Sequence, residues 1–324
     1  MRLRRVKEGG ALNLELLGPR GWVSVSKCLK QISFPDDSQS RHWKTEMVAL
    51  LGAPADVRAR IAGAAADVEP APRPETDLVI PFRPRSFRDF MLYEAHAIDA
   101  ARGFVTTFVP GAARIIHAYE GLTGRTFPKL RPHALWYRQP LYYFGNHLNV
   151  VSDGEDIRIP PYTQALDYEL ELGFILAQPL RDATPTEAEA AIGGFVVLND
   201  FSARDVQREE MASGFGPQKA KHFSSAISKV VVTADEILPR WRELKGRAYL
   251  NCKLISETST AGARWTLSEV LAHASRGEQL HPGELFATGT LPGGSGIETG
   301  QLLKAGDQIE IAIEEIGTLS NRIV

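Results

Sequence analysis

Residues 167–177 read DYELELGFILA. Acidic and apolar side chains alternate through the first six positions, the period of a β-strand, so Tyr168, Leu170 and Leu172 share one face and Asp167, Glu169 and Glu171 the other. Further on, the apolar run GFVVL at 194–198 ends in Asn199 and Asp200, which puts another carboxylate where a strand stops. Like charges aligned on a strand face repel one another, and they persist where water bathes the face or a cation neutralises it. An exposed edge strand would satisfy the first condition. The flanking residues favour the second. Glu171 runs straight into LGFILA and Asp200 follows GFVVL, both with the composition of buried strands, and neither strand carries a Lys or Arg to pair with the acids. Hard oxygen donors with no Cys or His beside them select Mg²⁺, Ca²⁺ or Mn²⁺ over zinc.

The chain has 324 residues, room for one large core or for two domains of roughly 100–200 residues each. Lys and Arg number 37 against 39 Asp and Glu, so no bulk field favours a nucleic acid or an anionic membrane. The two cysteines, Cys28 and Cys252, form no CxxC, which excludes a disulfide framework and a cysteine zinc site. The basic opening MRLRRVK is not followed by the apolar region of a signal peptide, because Asn13 and Glu15 interrupt it. No apolar run approaches the ~20 residues of a membrane span. A cytoplasmic protein is expected.

Residues 2–30 read as short strands between the turn signals GG and GPRG: RLRRVK, ALNLELL and GWVSVSKCL. RHWKTEMVALLG and ADVRARIAGAAADV have helical spacing, and EPAPRPET at 69–76 reads as a linker. These divide the chain into a small amino-terminal unit, 1–75, and a larger one, 76–324. SFRDFMLYEAHAIDAARG at 86–103 predicts a helix with Ser86 as N-cap and Gly103 as its stop, which puts Asp89 and His96 on one face. Alternatively, Asp89 is only the acid of a capping box and His96 a satisfied polar residue on a helix flank. The aromatic stretch from His133, HALWYRQPLYYFGNHLNVV, suits a pocket wall or ordinary core. After Asp200, FSARDVQREE predicts a helix with Arg204 and Gln207 on the face of Asp200, and Lys221 lies in the loop beyond. GTLPGGSGIETG at 289–300 matches neither a Walker A loop nor a dinucleotide fingerprint.

ELE at 169–171, NDFSARDVQ at 199–207, KHFSSAIS at 221–228 and GT at 289–290 together resemble the signature set of the fumarylacetoacetate hydrolase family. Their order agrees from residue 76 to the end; residues 1–75 are similar, more loosely, to the small amino-terminal domain of its longer members. The resemblance implies an α+β, β-rich fold: a mixed β-roll catalytic domain with a small N-terminal β-containing domain, usually a homodimer, holding one divalent cation. By motif position Asp89, Glu169, Glu171 and Asp200 would ligate the metal, with Mg²⁺ preferred and Ca²⁺ or Mn²⁺ as alternatives. His96 matches the general base and Glu298 the acid that orients it. Arg204, Lys221 and Gln207 match the polar pocket, and Tyr143 and Thr290 the substrate contacts. Members that cleave fumarylacetoacetate carry a Tyr and an Arg where this chain has Met91 and Val105. The activity implied is hydrolysis of a C–C bond in a small anionic dicarbonyl acid. A decarboxylase or hydratase using the same metal is one alternative, and a calcium-stabilised binding protein another.

Overall fold

A computed structural model describes residues 1–70 and 72–324. The alternating stretch divides at Tyr168: Asp167 ends the separate short strand Leu166–Asp167, whereas Glu169 opens the strand Glu169–Leu176, buried at every position. It is central and not an edge: Ile192–Asn199 pairs antiparallel on one side, with Leu198 opposite Glu171, and Leu285–Ser295 antiparallel on the other, with Thr290 opposite Glu171. No water-bathed face exists there to solvate the acids.

Among the described residues the main sheet runs Gly21–Ser24, Ala11–Gly18, Arg2–Glu8, Val230–Thr233, Ile192–Asn199, Glu169–Leu176, Leu285–Ser295, Phe87–Phe90, Tyr142–Gly145. Lys253–Ser259, Lys245–Leu250, Gln308–Ile313 and Gly317–Arg322 form a second sheet. The architecture is α+β and β-rich. One core packs Leu170, Leu172, Phe174, Val197 and Phe286 against Ile309 and Ile311 of the second sheet. Another packs the opposite side, Ile175, Val196, Leu198 and Val231, against Trp43, Leu50, Leu51 and Ile61. The amino-terminal strands therefore continue the sheet that carries the acids, with Leu3 opposite Val231.

Local readings change in four further places. The third amino-terminal strand stops at Ser24, and Val25–Gln31 is helical because Val25, Cys28 and Leu29 recur at the spacing that buries one helix face. Ser86 caps no helix. Phe87–Phe90 is a strand, parallel to Leu285–Ser295 and antiparallel to Tyr142–Gly145, and the helix begins only at Glu94. Pairing on both edges overrides a helical pattern that was only local. Gly103 is not a stop, since this helix continues to Phe108. Asp200 likewise precedes no helix directly: Ser202–Ala203 pairs with Leu166–Asp167 before Arg204–Ala212 begins.

Candidate active site

Asp89, Glu169 and Glu171 come from two strands, Phe87–Phe90 and Glu169–Leu176, which flank Leu285–Ser295 in the sheet. One carboxylate oxygen from each lies within 4.8 Å of the others, and all three residues are buried. Gly289, at φ +80°, lets the intervening strand pass against the Phe90 carbonyl; a Cβ there would stand 2.2 Å from that oxygen. Thr290 follows and places its hydroxyl 3.3 Å from Glu171 Oε1.

Burial raises Asp89 and Glu171 well above the usual carboxylate range, and the neighbouring carboxylates, Asp200 on Asp89 and Asp89 on Glu171, add to it. Burial opposes the charge of Glu169 too, but Lys221 and Arg204 outweigh it and hold that group below its ordinary value. Asp89 Oδ1 and Glu171 Oε2 are buried and have no hydrogen-bond partner. Two partnerless carboxylate oxygens beside a third carboxylate are a donor set that fits a hard divalent cation.

Asp200 stands beside this triad with both oxygens engaged. Ser225 Oγ donates to Oδ1 at 2.8 Å, while Lys221 Nζ lies 2.7 Å from Oδ2, which also accepts from Tyr143 Oη. Burial and Asp200 together push the Tyr143 phenol well up, so it donates as a neutral hydroxyl. Lys221 bridges Glu169 and Asp200. Arg204 does not pair with Asp200, as a continuous helix would require. Its Nε meets Asp167 at 2.6 Å, its guanidinium reaches Glu169 at 2.7 Å, and its Nη1 donates to Gln207 at 2.9 Å. The polar pocket is thus largely occupied by its own acids.

His96, buried on the first turn of Glu94–Phe108, puts Nδ1 3.0 Å from Glu298 Oε2, close enough for an ion pair but not aligned as a hydrogen bond. Glu298 is held in turn by the Gly293 amide at 2.9 Å and Ser295 Oγ at 2.6 Å. The imidazole is near enough to act electrostatically on Glu169. Strand and helix, not one helix face, bring Asp89 and His96 to the same place. Sequence reading passed over Asp167, Asn199, whose Oδ1 accepts from the Glu169 amide at 2.9 Å, Ser225, and Phe104, whose ring lies 5.7 Å from the Arg204 guanidinium. Asp167 gave a signal, as the third acid of the alternating face. Phe104 gave none.

Residues 121–324 match the family described as Fumarylacetoacetate (FAA) hydrolase C-terminal. The chain belongs to the fumarylacetoacetate hydrolase family. A mitochondrial oxaloacetate tautomerase of Xenopus laevis is 29% identical over 188 residues, which are 58% of this chain and 59% of that protein. The chain thus aligns with less than two thirds of such curated relatives. Among solved structures, a fumarylacetoacetate hydrolase from Exiguobacterium antarcticum superposes with a TM-score of 0.70 at 23% identity, covering 100% of this chain and 99% of that one. A fumarylpyruvate hydrolase from Pseudomonas aeruginosa, solved with Mn²⁺ and pyruvate, gives 0.56 at 21% identity over 78% of this chain and 97% of its own. These structures establish the fumarylacetoacetate hydrolase fold. The named relatives include both hydrolases and a tautomerase, so membership fixes the family and leaves the individual reaction to the site. Among the described residues no helix is long and apolar enough to cross a membrane.

Proposed function

We propose that this chain is a divalent-cation-dependent hydrolase that cleaves a C–C bond in a small anionic dicarbonyl acid of the 2,4-dioxo or 3,5-dioxo type. The observation that carries the reading is the buried His96 set against Glu298 beside a carboxylate triad. A structural cation site would need the acids and have no use for that pair. Asp89, Glu169 and Glu171, with Asp200 adjacent, would hold Mg²⁺, or Mn²⁺ or Ca²⁺ in its place. Bound there, the cation would polarise the dicarbonyl oxygens and favour the negative charge that develops on them.

With Nδ1 3.0 Å from Glu298, we assign Nε2 of His96 as the nitrogen that takes a proton from water. The hydroxide equivalent adds to the acyl carbonyl carbon. The bond from that carbon to the adjacent methylene then breaks, and its electron pair leaves with the methylene carbon as an enolate, which takes up a proton. For a 2,4-dioxo acid, R–CO–CH₂–CO–COO⁻ and H₂O give R–COOH and CH₃–CO–COO⁻. Lys221 and Arg204 keep Glu169 ionised through this sequence, and Thr290, Tyr143 and Gln207 would border the substrate.

Charge alone does not select the anion. Asp89, Asp167, Glu169, Glu171 and Asp200 face Arg204 and Lys221, so even a divalent cation leaves the centre net negative when all are ionised. A carboxylate beside the 2-oxo group of a 2,4-dioxo acid would instead be recognised as a donor to the cation, which favours that type over the 3,5-dioxo one. A neutral β-diketone of matched size should accordingly give a lower kcat/KM than an acylpyruvate.

A tautomerase is the second reading, favoured by the name of the Xenopus relative. In it the same base moves a proton between carbon and oxygen and no water adds. Incubating the protein with an acylpyruvate and Mg²⁺ while following pyruvate with lactate dehydrogenase separates the two. Stoichiometric pyruvate is expected; loss of the enol absorbance with no pyruvate would overturn hydrolysis in favour of tautomerisation. Size-exclusion chromatography with light scattering tests the homodimer that we also propose.

A further inference from the structure

We propose that Asp167 and Gly103 are positioning residues, which clamp the segment carrying Glu298 so that it meets His96 and moves together with the carboxylate triad; this rests on the reading of His96 as the base. Asp167 is wholly buried and accepts four hydrogen bonds. Its Oδ1 takes the amides of Gly296 at 2.7 Å and Tyr168 at 2.8 Å, and its Oδ2 the amide of Ile297 at 2.9 Å and Arg204 Nε at 2.6 Å. One carboxylate thus pins the first two amides of the short helix Gly296–Thr299 and also the guanidinium that reaches Glu169. Glu298 is the next residue along.

The other side of Ile297 is held by the helix Glu94–Phe108. A Cβ on Gly103 would stand 2.0 Å from the Ile297 carbonyl oxygen, so the two segments meet backbone to backbone at that glycine. His96 lies two helical turns before Gly103, on the same face, and that face is the one that brings Nδ1 to 3.0 Å from Glu298. Ile297 is therefore gripped by its amide from Asp167 and at its carbonyl by the helix that carries the base. Gly296 has no slack either, since a Cβ there would come within 2.2 Å of Asp167 Oδ1. Of the three acids on the alternating face, Glu169 and Glu171 turn to the cation site, and Asp167, one step further along, ties that site to the base.

The test compares Gly103→Ala and Asp167→Asn with His96→Ala and with Gly121→Ala, whose added methyl meets no atom within 4 Å. We expect kcat on an acylpyruvate to fall about 10- to 100-fold in Gly103→Ala and Asp167→Asn, the scale set by displacing a catalytic group by about 1 Å. KM, and Mn²⁺ affinity by titration calorimetry in Gly103→Ala, should stay at the wild-type values, and Gly121→Ala should match wild type throughout. Hydrogen exchange of the Gly296 and Ile297 amides should be as slow in wild type as that of the central sheet, and faster in both variants. Wild-type kcat in a folded Gly103→Ala, with His96→Ala inactive, overturns the proposal. If neither clamp variant folds, wild-type exchange decides, because amides at 296 and 297 that exchange as fast as the exposed end of Pro110–Thr123 overturn it as well. If His96→Ala keeps its kcat, the base reading has failed, and the exchange data alone then judge the clamp.

Discussion

His96→Ala should lose kcat by roughly 10²-fold or more while Mn²⁺ affinity stays near wild type, since the imidazole is proposed as a base and not as a ligand. A variant that loses its metal instead would move His96 into the coordination shell. Lys221 carries a different weight. It is buried between Glu169 and Asp200, whose charges hold its ammonium above the ordinary lysine range against the pull of burial. Lys221→Met removes one partner of a buried network, and about 3–5 kcal/mol of stability should go with it, read from urea unfolding of the metal-free protein. The cysteines offer a check on packing. Burial pushes the Cys28 thiol up to about 11, whereas Cys252 lies exposed in the turn after Lys245–Leu250. One thiol per native chain should react with a maleimide, and mass spectrometry should find it at Cys252. Met91 and Val105 bear on substrate: fumarylacetoacetate should give a lower kcat/KM than an acylpyruvate, and the reverse order would mean that these two positions do not select.

At the scale of elements, alternation was a sound guide where it was strict. From Glu169 on, DYELEL forms the strand expected of it, with Glu169 and Glu171 on one face, while Asp167 falls on the separate short strand Leu166–Asp167; GFVVL forms the next strand in the sheet. Helical spacing was a poorer guide where the chain crosses from one element to another. In 86–93 the spacing suits a helix as well as a strand, and pairing with Ala287 and Tyr143 decides that Asp89 lies on a strand. Gly103 was read as a stop because glycine ends helices, yet here it is the point of closest approach to Ile297. Where a local cap is complete, its effect should be local too. Thr266 forms a reciprocal capping box with Glu269 at the start of Leu267–Ala274, a helix that buries Leu267, Val270 and Leu271. Thr266→Ala should cost about 1 kcal/mol in urea unfolding and leave kcat unchanged.

For the whole molecule, the cation is expected to stabilise as well as activate. Asp89, Glu169 and Glu171 converge without enough positive charge of their own, so exhaustive chelation should abolish turnover and lower Tm, and Mg²⁺ or Mn²⁺ should restore both. At a hundredfold excess over Kd the stabilisation would be about 2.7 kcal/mol. Unchanged activity in protein shown by elemental analysis to be free of metal would overturn the centre. The first 75 residues bear on stability in another way. Leu3, Leu14, Trp43, Leu50 and Ile61 share a core with Val196, Leu198 and Val231. A 76–324 fragment would expose that side of the sheet and leave Val230–Thr233 paired only with Ile192–Asn199, so it should be insoluble or molten by near-ultraviolet circular dichroism.

The sequence by itself determined the acidic face, the strands that carry it, the chemistry of its donors and, through the spaced motifs, the family. These are properties of neighbours along the chain, where a period of two or a run of fixed residues can be read directly. Tertiary structure alone decided what the charges pair with. Arg204 turned out to serve Asp167 and Glu169, Lys221 to bridge Glu169 and Asp200, and Glu298 to reach His96 from nearly the far end of the chain. Such pairings follow from sheet register and from the close approach allowed at Gly103 and Gly289, and no local pattern records either. Burial was equally a tertiary fact. Glu169 and Glu171 would be a solvated edge on an outer strand, and they join Asp89 in a candidate cation site because the fold places their strand in the middle of its sheet.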